Sequence, residues 1–139
     1  MKTIALTLSL FLTSLIGLAQ EQSGIKIEVS IDNITSDEGK VMVSLHTGDT
    51  FMKGPGIKNL QSSIENGKVS FVFENVTPGT YAIMALHDKN ENNRMDFEEN
   101  GMPKESYGVS NNDMSFGPPS FDGAKFTVDN EDMEFQIRF

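Results

Sequence analysis

Apolar and polar residues alternate with a period of two over most of the chain. In "GIKIEVSIDNI", Ile25, Ile27, Val29 and Ile31 share one face, and Lys26, Glu28, Ser30 and Asp32 share the other. That is the signature of a strand with one buried side. After the turn-forming "SDEG", the stretch "KVMVSLH" places Val41, Val43 and Leu45 inward and Met42, Ser44 and His46 outward. The two segments read as a hairpin. "TGDTFMKGPGIKN" reads as a loop, with Phe51 and Ile57 as its apolar anchors. "LQSSIE" and "KVSFVFENV" flank Asn66-Gly67, the pair favoured in tight hairpins because both positions need a positive φ. Val69, Phe71 and Phe73 form the inner face, and Val72 points to partial cover on the other side.

"YAIMALH" breaks the alternation. It is apolar almost throughout, which marks a central strand buried on both faces. From Asp88 to Gly123 the chain turns polar and rich in Asn, Gly and Pro, with Tyr107, Phe116 and Phe121 as anchors. A loop of this length inside a small domain is unusual and is more often functional or locally ordered. "AKFTVDN" and "MEFQIRF" close the chain as a last hairpin. The pattern predicts an all-β protein: one β-sandwich of about seven strands with Greek-key connections and one long loop. A small β-barrel is the next reading. A membrane barrel fits less well, because strands this short fall below the roughly 9–11 residues that span a bilayer.

The first residues follow another pattern. Lys2 precedes the apolar run "IALTLSLFLTSLIGL", and small residues stand at Gly17 and Ala19. This predicts a secretory signal peptide over 1–19 and a mature domain over 20–139. The run is shorter than the roughly 20 apolar residues of a transmembrane helix. Membrane insertion after cleavage is therefore not expected. Cysteine is absent, so neither a lipid-anchored cysteine nor a disulfide is available.

The formal charge is −9, and loss of Lys2 with the leader makes it −10. An acidic chain of this kind disfavours nucleic acid and anionic membrane and favours cations. The acids concentrate in "HDKNENNRMDFEENG", residues 87–101. In register with the twelve-residue calcium loop D-x-[DN]-x-[DN]-G-x₅-E, Asp88, Asn90 and Asn92 take positions 1, 3 and 5. Arg94 takes position 7, which uses only its carbonyl; Asp96 takes position 9 and Glu99 position 12. Asn93 stands where glycine is usual, at a left-handed position that Asn tolerates best. Alternate residues of a wrapped loop aim at one centre, and Ca²⁺ accepts six to eight such hard oxygens. The absence of Cys and the presence of only two His argue against zinc and copper. The flanks predict a strand before and a loop after, so the expected site is not a helix–loop–helix. The same composition also suits a solvated acidic surface loop.

No catalytic constellation emerges: there is no nucleophile elbow and no phosphate-binding loop. Glu98, Glu99 and Glu105 offer carboxylates without distinctive spacing, and His87 and Glu105 are the candidates for acid/base work. Tyr107, Asn111 and Asn112 suit either an exposed ligand rim or a loop packed across one end of the sandwich.

"PGTYAIMALHDKNENNRMDFEENGMPKESYGVSNN" followed by "GPPSFDGAKF" resembles the bacterial "domain of unknown function 2141" family. The matching positions are His87, Asp88, Asn90, Asn92, Asp96, Pro103, Glu105, Tyr107, Gly108, Ser110 and Asn111. The family has Gly where Asn93 stands, and a less acidic stretch than "FEEN" after the Asp. The resemblance implies a transthyretin-like or immunoglobulin-like sandwich exported from a Gram-negative cell, and no particular activity. The combined expectation is a Ca²⁺-stabilised binding or structural module of the periplasm or cell surface, with an envelope protein or carbohydrate as partner. The alternatives are an envelope polysaccharide hydrolase and a structural domain without metal.

Overall fold

The structure, a computed structural model, describes residues 24–113 and 115–139. The leader assigned to 1–19 lies outside the described residues.

Among the described residues, eight strands form two sheets. In chain order they are β1 (Ile25–Ile31), β2 (Lys40–His46), β3 (Lys58–Ser62), β4 (Val69–Val76), β5 (Gly79–Asp88), β6 (Tyr107–Val109), β7 (Phe126–Val128) and β8 (Met133–Gln136). A 3-10 turn at Ser110–Asn112 and a single helical turn, α1 (Phe121–Ala124), are the other elements among the described residues. One sheet runs β4-β1-β8. The other runs β3-β2-β5-β6, with β7 also on β5.

Alternation selects the inner faces as expected. Ile27, Val29 and Ile31 from β1 meet Val41, Val43 and Leu45 from β2, together with Phe71, Phe73, Ile83 and Ile137, in one buried core. Fully burying one such aliphatic side chain stabilises the fold by roughly 1.5–3 kcal/mol. Val72 is exposed rather than partly covered.

The pairing differs from the sequence expectation. β1 and β2 are not a hairpin: they lie in different sheets, β1 pairing with β4 and β8 and β2 with β3 and β5. The terminal strands are not a hairpin either. β7 joins β5 antiparallel, and β8 joins β1 in parallel. A period of two fixes which face is buried but not which strand lies alongside. Asn66-Gly67 does make its turn, at φ 52° and 73°. Glu65 and Lys68 exchange both backbone hydrogen bonds at 3.1 Å. The ladder stops there, because β3 and β4 then diverge into separate sheets.

β5 is the central strand, and it is covered on both sides. Its outer face carries a second small core of Phe51, Ala82, Val109 and Ala124, with Met84 and Phe121 against it. His46 belongs to this covered side. It is 4% exposed rather than outward-facing in solvent, and its ring meets Phe51 edge-on at 5.7 Å. Burial lowers the His46 pKa below its ordinary value, and hydrogen bonding at Thr50 partly opposes that. Phe51 and Phe121 therefore anchor their loops as expected, whereas Ile57 and Phe116 are exposed.

The long segment after β5 is ordered by short pieces. β6 pairs with residues 84–86 of β5, and β7 pairs with 79–81. Between them the backbone N–H of Ile83 donates to Ser110 Oγ at 2.9 Å, and Ser110 Oγ donates to the Ala124 carbonyl. Asn111 and Asn112, both left-handed, tie the same region to its neighbours. Asn111 Nδ2 donates to the carbonyls of Gly123 and Lys125. Asn112 Nδ2 donates to the Gln136 carbonyl, and Asn112 Oδ1 accepts from the Arg138 N–H. These two asparagines hold the segment across the end of the sandwich. Among the described residues no helix is long and apolar enough to cross a membrane.

Candidate metal loop

The acidic loop leaves the buried end of β5. His87 and Asp88 are both completely buried, on opposite faces of the strand. The loop then wraps back on itself. Asp88 Oδ1 accepts the Asn92 N–H at 3.1 Å, and Asp88 Oδ2 accepts the Asn93 N–H at 2.8 Å. Asn93 adopts φ 64°, the left-handed conformation its sequence position requires. Asn90 Oδ1 accepts from the Asn92 N–H at 3.3 Å and Asn92 Oδ1 from the Arg94 N–H at 3.1 Å. Both are Asx turns, the local alternative these residues offer a backbone.

Three of the alternate residues converge. Asn90 Nδ2 donates to Asp96 Oδ2 at 2.7 Å, and Asn92 Nδ2 reaches both Asp96 oxygens at 3.0 and 2.8 Å. Asn92 also links Asp96 to Asp88 through its own N–H. Asp88, Asn90, Asn92 and Asp96 are thus one hydrogen-bonded group. Arg94 keeps its side chain outside, 76% exposed, with Nε 3.7 Å from Asp96 Oδ1. Glu99 is not brought to the group. It is exposed at the tip of a small hairpin in which Phe97 bridges Pro103. Among the described residues no three His, Asp or Glu side chains cluster closely enough to hold a metal ion by themselves, so amide oxygens would have to contribute.

Those amides fit a cation by a simple rearrangement. A half-turn about the terminal torsion of Asn90 or Asn92 exchanges its NH₂ for its carbonyl oxygen, and that torsion is soft and roughly two-fold. The oxygens of Asn90 and Asn92 would then face the Asp96 carboxylate, at the loss of two Asx-turn bonds and of the three amide–carboxylate bonds that an ion would have to replace. With the Arg94 carbonyl and water, such a group suits Ca²⁺ better than Mg²⁺, which demands a near-ideal octahedron.

From sequence, Glu105 is a candidate acid/base residue or a solvated loop acid; the structure buries it instead. Glu105 is 7% exposed, and its carboxylate closes the loop. Oε1 accepts the Lys89 N–H at 3.0 Å and Oε2 accepts the Asp96 N–H at 3.2 Å. One side chain therefore holds both ends of the loop backbone. The family pattern P-x-E-x-Y-G marks the position, but nothing in the spacing states its partners. Gly39 completes the base: at φ 71°, a Cβ there would lie 2.2 Å from the Asp88 carbonyl oxygen. The neighbouring Glu38 carbonyl sits 2.7 Å from His87 Nε2, and His87 stacks on Phe139 at 6.3 Å.

The fold and site together describe a β-sandwich whose central strand runs into an amide- and carboxylate-lined loop. The chain belongs to the family described as uncharacterized proteins conserved in bacteria, domain of unknown function 2141 (DUF2141), whose profile matches residues 29–136. Comparison with curated proteins and with solved structures found no match.

Proposed function

We propose that this protein is an exported β-sandwich module of the periplasm or cell surface in which Ca²⁺ stabilises the loop from Asp88 to Asp96. The observation that carries the reading is the convergence of Asn90 and Asn92 on Asp96, tied through Asn92 to the buried Asp88. The ion would act by mass action, because only the folded loop gathers these oxygens. With two carboxylates rather than the three expected with Glu99, the ion would be held weakly, in the range of extracellular calcium modules, about 10⁻⁴–10⁻³ M. The leader pattern supports export: Lys2, an apolar run, and small residues at Gly17 and Ala19. An envelope protein or carbohydrate is the partner class that suits this location.

The polysaccharide hydrolase is less well supported. His87 is turned into the core, and both oxygens of Glu105 are engaged by backbone N–H groups, so neither candidate acid/base residue is open to a glycan. The deciding experiment melts the mature protein in EDTA and in millimolar Ca²⁺ and titrates Ca²⁺ calorimetrically. A higher melting temperature with Ca²⁺ and a measurable binding heat are expected. Identical melting with no heat would overturn the calcium reading and leave the metal-free structural domain.

A further inference from the structure

The chain contains two Asn-Gly pairs, Asn66-Gly67 and Asn100-Gly101, and the fold treats them oppositely. We propose that Asn100 is a site of spontaneous covalent modification, converting to aspartyl and isoaspartyl forms in the native protein, while Asn66 is protected. This inference is independent of calcium.

The chemistry needs no enzyme. The backbone nitrogen of Gly101 attacks Asn100 Cγ, the Cγ–Nδ2 bond breaks, and ammonia leaves with the proton of the Gly101 N–H. The product is a cyclic imide shared by the two residues. Water then adds to either imide carbonyl and breaks that carbon–nitrogen bond, leaving a carboxylate on the side chain or, in the isoaspartyl form, on the former main chain. In sum, one amide and one water become one carboxylate and one ammonium. Glycine favours the attack because no Cβ shields its nitrogen. The attack also requires that nitrogen to leave its hydrogen bond and the asparagine side chain to swing over it.

Around Asn66 this freedom is removed. The N–H groups of Asn66 and Gly67 donate to the two oxygens of Asp37 at 3.0 and 2.8 Å. Glu65 and Lys68 close the turn with two further bonds, and the Gly67 carbonyl accepts the Ile34 N–H at 3.1 Å. The turn is also pressed against the neighbouring chain, with the Ile34 carbonyl oxygen 2.7 Å from where a Gly67 Cβ would be. Around Asn100 the restraints are few. Residues 97–102 are all exposed, and beyond its chain neighbours none of the described residues lies within 4 Å of the position a Gly101 Cβ would take. The Gly101 N–H donates to a neutral acceptor, the Glu98 carbonyl at 2.9 Å, and Asn100 Oδ1 accepts the Met102 N–H at 3.1 Å. Hydrogen bonds to a charged acceptor outlast those to a neutral one, and exposed tips open with little free energy. The modification would add a negative charge beside Glu98 and Glu99; the aspartyl form keeps an oxygen acceptor for the Met102 N–H, whereas the isoaspartyl form lengthens the main chain there.

The test incubates the folded protein in heavy-oxygen water at mildly alkaline pH, then maps heavy-oxygen uptake and isoaspartyl content peptide by peptide. Conversion at Asn100 is expected to exceed that at Asn66 by roughly tenfold or more, the scale set by hydrogen bonds to a charged carboxylate. In strong denaturant the two pairs should convert at similar rates, which shows that the fold creates the contrast. Asp37→Ala should raise conversion at Asn66 and leave Asn100 unchanged. Equal rates at the two sites in the folded protein would overturn the proposal. So would an unmodified Asn100 under conditions that modify it in the denatured chain.

Discussion

Ser110 Oγ accepts the Ile83 backbone N–H at 2.9 Å, in the interval of β5 that neither β6 nor β7 reaches. A side chain there replaces a missing stretch of strand, and it hands the bond on to the Ala124 carbonyl. Ser110→Ala leaves a buried donor and a buried acceptor unpaired. Each such group costs about 1–3 kcal/mol. Denaturant unfolding should show a loss of at least the lower figure with an unchanged m-value. A loss of only a few tenths would mean that water or a neighbour takes over both partners.

Glu105 should behave as a clasp. Glu105→Ala deprives the Lys89 and Asp96 N–H groups of their shared acceptor. Amide hydrogen exchange at those two positions should quicken, while the β1–β4 ladder keeps its protection. Global stability should fall by about 1–3 kcal/mol. Unaltered exchange at Lys89 and Asp96 would count against the clasp.

The calcium reading separates Asp96 from Glu99. Asp96→Asn should abolish the Ca²⁺-dependent rise in melting temperature, since this carboxylate is the centre of the group. Glu99→Gln should preserve that rise, because Glu99 is exposed on the hairpin tip. At Ca²⁺ tenfold above Kd the wild type should gain roughly 1.4 kcal/mol. Loss of the effect in Glu99→Gln would show that the hairpin folds inward to supply a third carboxylate.

His46 gives the protein an acid-sensitive spot. Its ordinary pKa is 6.5, and burial lowers that value in the folded state. As pH falls through about 6.5 the unfolded chain takes up the proton first, so stability from this group is present above that pH and is lost below it. His46→Gln keeps a polar partner for Thr50 Oγ1 and does not titrate. The difference between wild type and variant in unfolding free energy should therefore change as pH drops below 6.5, in the direction of a weaker wild type. A difference independent of pH would remove His46 as the cause.

The parts of the fold legible in the sequence were those set by neighbouring residues. Ile27, Val29 and Ile31, or Val41, Val43 and Leu45, declare their buried face through alternation alone. Asn66-Gly67 declares its turn, Asn93 its left-handed backbone, and the run from Tyr81 to His87 its central place. What stayed hidden depends on residues far apart. β8 lies beside β1 although Val29 and Phe135 are distant in sequence, and no local pattern encodes that register. β6 is only three residues long, too short for alternation to stand out. The cover over His46 comes partly from Phe51, close by, but also from Phe121 packed against Phe51. The same distinction runs through the loop. The Asx turns of Asn90 and Asn92 follow from local chemistry, whereas the grip of Glu105 on Lys89 and Asp96 and the outward position of Glu99 depend on how the chain returns.

The parallel seam between β1 and β8 sets an order of assembly. Residues 25–31 are made well before 133–136, yet one side of that strand stays open until the later segment is available to fill it. A chain stopped short of Met133 keeps the β1 edge bare, with Ile27 and Val29 lacking a neighbour on that side. The sandwich therefore cannot close progressively from its beginning. It closes late and as a unit, with slow folding as the cost of so distant a pairing.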